Sequence, residues 1–393
     1  MSCRSLTAAL FVGLVHLGGL ALDDAKAQGT RHVAETPAPV GRWRAAADMS
    51  ERREYAGGVR LNDGRILAVS GHPLEGKSIA SAELYDPKTA TWSNTGSLRQ
   101  SRNGANEATL LHDGRVLLAG GHNTEVVRGA EIFVPTTGQW SDAGSLSVGR
   151  DPTATLLADG RVLVSGGIDW FTDSGNVYSL AELYDPRTGK WTATGSLHTA
   201  RYTHRAITLD NGRVLAVGGF EKPGTPLASP ELYEPSTGRW QTTEDIPKPR
   251  LGFGLVKLLD GRVLVAGGST GSSAKRTYLA SAVLYDPRAG HWSETQPMKD
   301  KRAGFATTLL ADGQVLVAGG IADSGLELKS AELFDPRTGS WRPAASMNVA
   351  RRNHRATLLP NGNVLVIGGS NFFGQNYLKS CEVFSLLVAV PTQ

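Results

Sequence analysis

A four-residue apolar run flanked by turn residues sets the rhythm of this chain. Val263-Leu264-Val265-Ala266 follows Asp260-Gly261-Arg262 and ends in Gly267-Gly268, and the pattern occurs seven times at intervals of 46 to 52 residues. Its ends are Ser70-Gly71, Gly120-Gly121, Gly166-Gly167, Gly218-Gly219, Gly267-Gly268, Gly319-Gly320 and Gly368-Gly369. Runs this short, bounded by turn residues, predict strands.

The unit from Ala303 to Trp341 shows the order of elements. Gly304 to Leu310 reads as an apolar, Thr-rich strand, Ala311-Asp312-Gly313-Gln314 as a tight turn, and Val315 to Ala318 as a second strand running into the double glycine. A variable loop leads to a strand around Ala331-Glu332-Leu333-Phe334, a turn at Asp335-Pro336-Arg337-Thr338-Gly339, and a last strand opened by Trp341. In every unit Asp or Asn precedes the Gly of the first turn, the strongest short-range hairpin signal. Four short antiparallel strands per ~50 residues make one propeller blade.

The expected fold is therefore all-β, a seven-bladed propeller with four antiparallel strands per blade. Trp92, Trp140, Trp191, Trp240, Trp292 and Trp341 recur after the second turn and are expected to fill the wedge between blades. Trp43 matches them but has no first three strands before it, whereas the last unit ends at Glu382-Val383-Phe384 with no Trp after it. Residues 41–48 are thus expected to complete the blade formed by about 350–387, hiding both sheet edges.

The double glycine, the Tyr of the third strand and the Trp of the fourth, as in Gly166-Gly167, Tyr184 and Trp191 or Gly267-Gly268, Tyr285 and Trp292, resemble the kelch repeat. The likeness spans about 41–387, and its style is similar to the propeller of the galactose oxidase group and to exported bacterial kelch proteins. It implies a rigid disc that binds a protein, a peptide or a glycan on a loop-bearing face.

Composition is that of a soluble globular protein, 393 residues with 40% apolar and 20% charged. A net charge of +4 without a basic run leaves no nucleic-acid footprint. Arg4, the apolar run from Leu6 to Leu22 and Ala25-Lys26-Ala27 read as a secretory signal over 1–27, cleaved after Ala27. A linker, 28–40, would follow it, and a tail, 388–393, would end the chain. Removal of the signal would leave no membrane span and a secreted or periplasmic monomer. Cys3 would leave with the signal, so Cys381 could form no internal disulfide and is expected to be a buried, inert thiol.

In an up-and-down blade, the residues after each double glycine and those before each first strand converge on one mouth of the central channel. The candidate binding face is His72, His122, Asp169, Trp170, Tyr202, His204, Glu221, Arg352, His354, Asn371 and Phe372, with Phe373 beside them. Trp170 is the one tryptophan outside the repeat. Arg53, Arg102, Arg150, Arg201, Arg250, Arg302 and Arg351 would form a ring, one per blade, expected to be structural. Six third strands offer each a carboxylate, Glu83, Glu131, Glu182, Glu231, Glu332 and Glu382, with Val283 the exception.

His204 and His354 occupy equivalent positions and, with His72 and His122, could gather imidazoles at the mouth; Phe253 and Phe305 at the same place in other blades argue for packing instead. No metal and no cofactor is expected. Two enzymatic readings stand as alternatives. Resemblance to galactose oxidase would imply a copper radical site of two Tyr, two His and a Cys joined to one Tyr. Resemblance to the exported sialic-acid mutarotases would imply an Arg-lined mouth with acid/base groups, for which Glu54, Asp151, Asp169, Glu221 and Asp323 are available. No nucleophile motif or phosphate loop is present.

Overall fold

The computed structural model describes residues 39–386 except 74–77, 105–107, 173–174, 223, 273–274 and 373–375. The signal, nearly all of the linker, the tail and Phe373 lie outside the described residues. Those described belong to one compact unit, Pro37–Gln393.

Seven four-stranded antiparallel sheets follow one another in sequence, each ordered from first strand to fourth. Blade five is typical: Gly254–Lys257, Val263–Ala266, Ala282–Asp286 and His291–Glu294. First strands neighbour one another around a central channel. Val263–Ala266 is wholly buried because blades cover both of its sides, so the run is apolar throughout instead of alternating.

Register explains the repeated aromatic pair. Tyr285 lies opposite Trp292, and their rings sit 4.9 Å apart. Such a contact contributes roughly 0.5–1.5 kcal/mol beyond the area it buries. The indole then crosses to the preceding blade, Trp292 Nε1 donating to the Glu244 carbonyl at 3.1 Å and Trp240 Nε1 to that of Gly195 at 2.8 Å. On the opposite face, Asp260 Oδ1 accepts the Arg262 N–H at 3.0 Å, and Arg262 Nη2 reaches the Pro336 carbonyl of blade six at 2.9 Å.

The two glycines of each pair answer to different neighbours. Gly218 (φ +62°) sits so close to blade five that a Cβ would lie 2.6 Å from Phe253 Cε1 and 2.5 Å from the Arg250 carbonyl. At Gly219 (φ +87°) a Cβ would lie 2.5 Å from the Tyr202 carbonyl of its own blade. The first glycine thus seats the next blade, and the second closes the mouth of its own.

Closure is as the tryptophan count implies. Arg42–Ala46 pairs antiparallel with Cys381–Ser385, completing the seventh blade, and Trp43 packs 5.1 Å from Phe384. The chain engages one residue earlier than the expected linker boundary: Val40 pairs with Ala344 of blade six, where Ala345 N–H donates to its carbonyl. A second difference lies in the loops after the double glycines. Short hairpins such as Ile168–Asp169 with Asn176–Val177 and Ser370–Asn371 with Asn376–Tyr377 rise there, too brief to leave a periodicity in sequence.

Candidate functional site: the loop-bearing mouth

Each ring arginine is buried, at most 1% exposed, inside its own blade. Arg201 is representative: Nη2 meets Glu231 Oε1 at 2.6 Å and Nη1 donates to the Ser229 carbonyl at 3.0 Å. Five further pairs, Arg53–Glu83, Arg102–Glu131, Arg150–Glu182, Arg302–Glu332 and Arg351–Glu382, close at 2.6 to 3.0 Å. The glutamates also accept backbone N–H groups from the connection leading into the blade, as Glu231 does from His198 and Thr199. This clamp draws the guanidinium away from the channel mouth.

The residue after each arginine is the one that reaches the mouth. Glu54, Asn103, Asp151, Tyr202, Leu251, Ala303 and Arg352 pair through main-chain bridges with the residue after the double glycine, or in Asp151 donate to its carbonyl. These seven positions divide the rim into a polar side and an apolar one at Leu251 and Ala303. The next residue inward lacks an N–H at Pro152 and has positive φ at Tyr55, Gly104, Thr203, Gly252, Gly304 and Asn353. From blade five round to blade one the main chain laces across blades, Gly304 N–H to Gly252, Asn353 N–H to Gly304 and Tyr55 N–H to Asn353. Beneath the mouth a channel cavity of about 430 Å³ is lined by Thr109, Ala154, Thr155, Ile207, Thr208 and Arg355.

Two clusters stand on the polar side. In the first, Asp151 Oδ2 lies 2.6 Å from His122 Nδ1 and accepts the Trp170 indole N–H at 2.7 Å. Phe171 packs edge-on to His122, Trp170 packs edge-on to Tyr202, and Tyr202 stacks on Phe220. Gly104 leaves room for the carboxylate, since a Cβ there would collide with it. In the second, Glu54 Oε1 accepts Asn353 Nδ2 at 2.7 Å and Ser370 Oγ at 2.6 Å, while Asn353 Nδ2 also donates to Tyr55 Oη at 2.8 Å. Arg352 faces Glu327 at 3.6 Å, and His72 packs against Tyr377.

The expected face residues divide accordingly. His72, His122, Asp169, Trp170, Glu221, Arg352 and Phe372 are at least partly accessible. Asp169 accepts the Phe171 N–H, and Asp323 is held by Lys301 at 2.7 Å. Tyr202 and Asn371 are buried, forming walls beneath the surface.

His204 and His354 correct the expectation: they are 3% and 5% exposed and lie between blades. Each packs against the first glycine of the preceding blade, Gly166 and Gly319, just as Phe253 packs against Gly218. Burial, with help from Arg201, depresses the His204 pKa to about 3, and burial beside Arg351 holds His354 well below its usual value. Both are uncharged wedges.

Sequence reasoning missed Tyr55 and Phe171. Registering the blades on the ring arginine, and comparing the next two residues, would have singled out Tyr55 as a bulky departure. Among the described residues the large exposed hydrophobics are Tyr55, Trp170, Phe171, Leu259, Leu326 and Phe372, between 41% and 72% exposed. All but Leu259, which sits at the first turn of blade five, belong to the loop-bearing face.

The copper donor set does not fit the described residues. Cys381 is buried with Tyr85 in a cluster of apolar side chains including Met49 and Leu359, its thiol pushed up to about 12 by burial. No group of three His, Cys, Asp or Glu is placed to hold a metal among the described residues.

Comparison with known proteins matches residues 152–369 to the model of the KLHDC2/KLHL20/DRC7 Kelch-repeats domain. Beta-scruin of Limulus polyphemus is 32% identical over 122 residues, 30% of this chain and 13% of that protein. An F-box/kelch-repeat protein of Arabidopsis thaliana, At1g67480, is 35% identical over 81 residues, 21% of each chain. The chain therefore spans only a small part of either relative. Among solved structures, a fungal alcohol oxidase of the AA5 family in complex with copper superimposes with a TM-score of 0.72 over 88% of this chain and 76% of its own, at 20% identity. At that identity the likeness concerns the fold alone.

Proposed function

Because this chain belongs to the Kelch-repeats domain family, we propose that it is an exported binding scaffold whose loop-bearing face docks a protein or peptide partner. The observation that carries the reading is the segregation of exposed aromatics: Tyr55, Trp170, Phe171 and Phe372 surround one mouth, and the opposite face has only Leu259 among the large exposed hydrophobics of the described residues. Exposed aromatics flanked by polar groups are what partner surfaces use as anchors. Export is supported by Arg4, the run from Leu6 to Leu22 and the small residues Ala25 and Ala27.

Site-specific photocrosslinking in the producing cell tests the docking face. A crosslinker at Phe171 or Phe372 should capture a discrete partner that one at Leu259 does not; equal capture from Leu259 would refute the assignment.

A second reading rests on the His122–Asp151 pair, an arrangement suited to proton transfer on a sugar held against Trp170. Exchange NMR with sialic acid checks it: accelerated anomerisation abolished by His122→Ala would favour it, and an unchanged rate would remove it.

A further inference from the structure

The blades supply their own internal control for the arginine clamp, and blade five departs from it at several points. In the other six, the residue three before the arginine donates its N–H to the glutamate at 2.7 to 2.9 Å: Ser50, Arg99, Ser147, His198, Lys299 and Asn348. In blade five that residue is Pro247, which has no N–H, and the glutamate is replaced by Val283. Both halves of the contact have been exchanged for apolar residues, yet Arg250 remains and is fully buried.

Three donors survive without a carboxylate. Arg250 Nη1 is satisfied by the Gly267 and Ser281 carbonyls at 3.1 and 3.2 Å, and Nε by that of Lys248 at 3.3 Å, but Nη2 has no partner. Ser281 Oγ, whose equivalents Ser81, Ser330 and Ser380 receive the arginine Nη2 at 2.9 to 3.1 Å, is also buried without one. The Lys248 N–H stands where Thr199 and Asp300 donate to the glutamates of their blades. Uncompensated, a buried guanidinium is strongly unfavourable. Valine branches close to the backbone and does not extend to where a glutamate carboxylate would sit, and Pro247 and Lys248 above it are exposed.

We propose that blade five binds a chloride-sized monovalent anion, held by Arg250 Nη2, Ser281 Oγ and the Lys248 N–H in place of the missing carboxylate. The anion restores the charge balance of the other blades, and the exposed connection at Pro247 provides its way in. Among the described residues the carboxylate that acts on Arg250 is Glu294, opposite Val283 on the fourth strand and exposed.

Bromide and chloride are the probes. In crystals of the whole protein soaked in bromide, an anomalous peak is expected beside Arg250 Nη2. In solution, replacing gluconate by chloride at constant ionic strength should raise Tm by about 2 °C once chloride exceeds its Kd tenfold. Val283→Glu, which supplies the carboxylate covalently, should abolish that dependence, and Arg250→Met should abolish it too should the first variant fold poorly. A water with no bromide signal at the site, or a halide dependence retained in Val283→Glu or Arg250→Met, would overturn the proposal. So would a halide-independent wild type destabilised by Glu294→Gln, since Glu294 would then be the counter-charge.

Discussion

His122 Nδ1 and Asp151 Oδ2 lie 2.6 Å apart across the boundary between blades two and three, and the same oxygen receives the Trp170 indole at 2.7 Å. In a neutral imidazole, a carboxylate at Nδ1 favours the tautomer that carries its proton on that nitrogen. Nitrogen-15 NMR should show the His122 Nδ1–H tautomer in the wild type and its loss in Asp151→Asn. Partner or sugar binding should weaken about tenfold in that variant, the range of one lost charge-assisted hydrogen bond. A wild-type imidazole protonated only at Nε2 would contradict this geometry.

Arg201 and Glu231 are both wholly buried, so removing one charge strands the other. Glu231→Gln should cost about 3–5 kcal/mol in urea unfolding. A cost below about 1 kcal/mol would mean that the carbonyls around Arg201 suffice, and that the clamp contributes geometry more than stability.

The depressed pKa values of His204 and His354 set an acid limit. The unfolded chain takes up protons at these rings below about pH 6.5, whereas the native state resists until about pH 3 at His204. Their stabilisation is therefore complete above pH 6.5 and is lost as pH falls through that window. At pH 5 the loss at His204 is roughly 2 kcal/mol, and His354 adds to it in the same direction. His204→Phe with His354→Phe, copying Phe253 and Phe305, should flatten the stability profile between pH 6.5 and 5; a profile unchanged from the wild type would count against burial of the neutral rings.

Gly189 and Gly218 separate backbone strain from crowding. Both have positive φ, but a Cβ at Gly189 meets nothing within 4 Å, whereas at Gly218 it would strike Phe253 and the Arg250 carbonyl. Gly189→Ala should cost about 1–2 kcal/mol, and Gly218→Ala more than 3 kcal/mol because the next blade must move. Similar losses in thermal unfolding would show that the glycines serve conformation alone.

Most of the architecture is legible along the chain because its causes are local or repeated. The Asp-Gly turns, the apolar second strands and the orphan Trp43 are sufficient to deduce seven blades and their closure, since a strand with no partners of its own must find them at the far end. The short hairpins at Ile168–Asp169 and Ser370–Asn371 are not legible, as two residues per strand carry no period.

The candidate site divides along the same line. Its address, the residues around the double glycines, follows from sequence by subtracting the repeat. Its chemistry does not, because residues such as His122 and Asp151, or Glu54 and Asn353, belong to different blades and meet only when the ring closes. Sequence likewise pairs His204 and His354 as equivalents, but burial by the neighbouring blade decides that they are wedges and not ligands. Repetition along the chain therefore determined the blade and the order of its parts. Packing, which the sequence pattern does not contain, decided which side chains face the mouth, which are covered, and that Arg250, whose blade carries Val283 in place of the glutamate, is buried with Nη2 unpartnered.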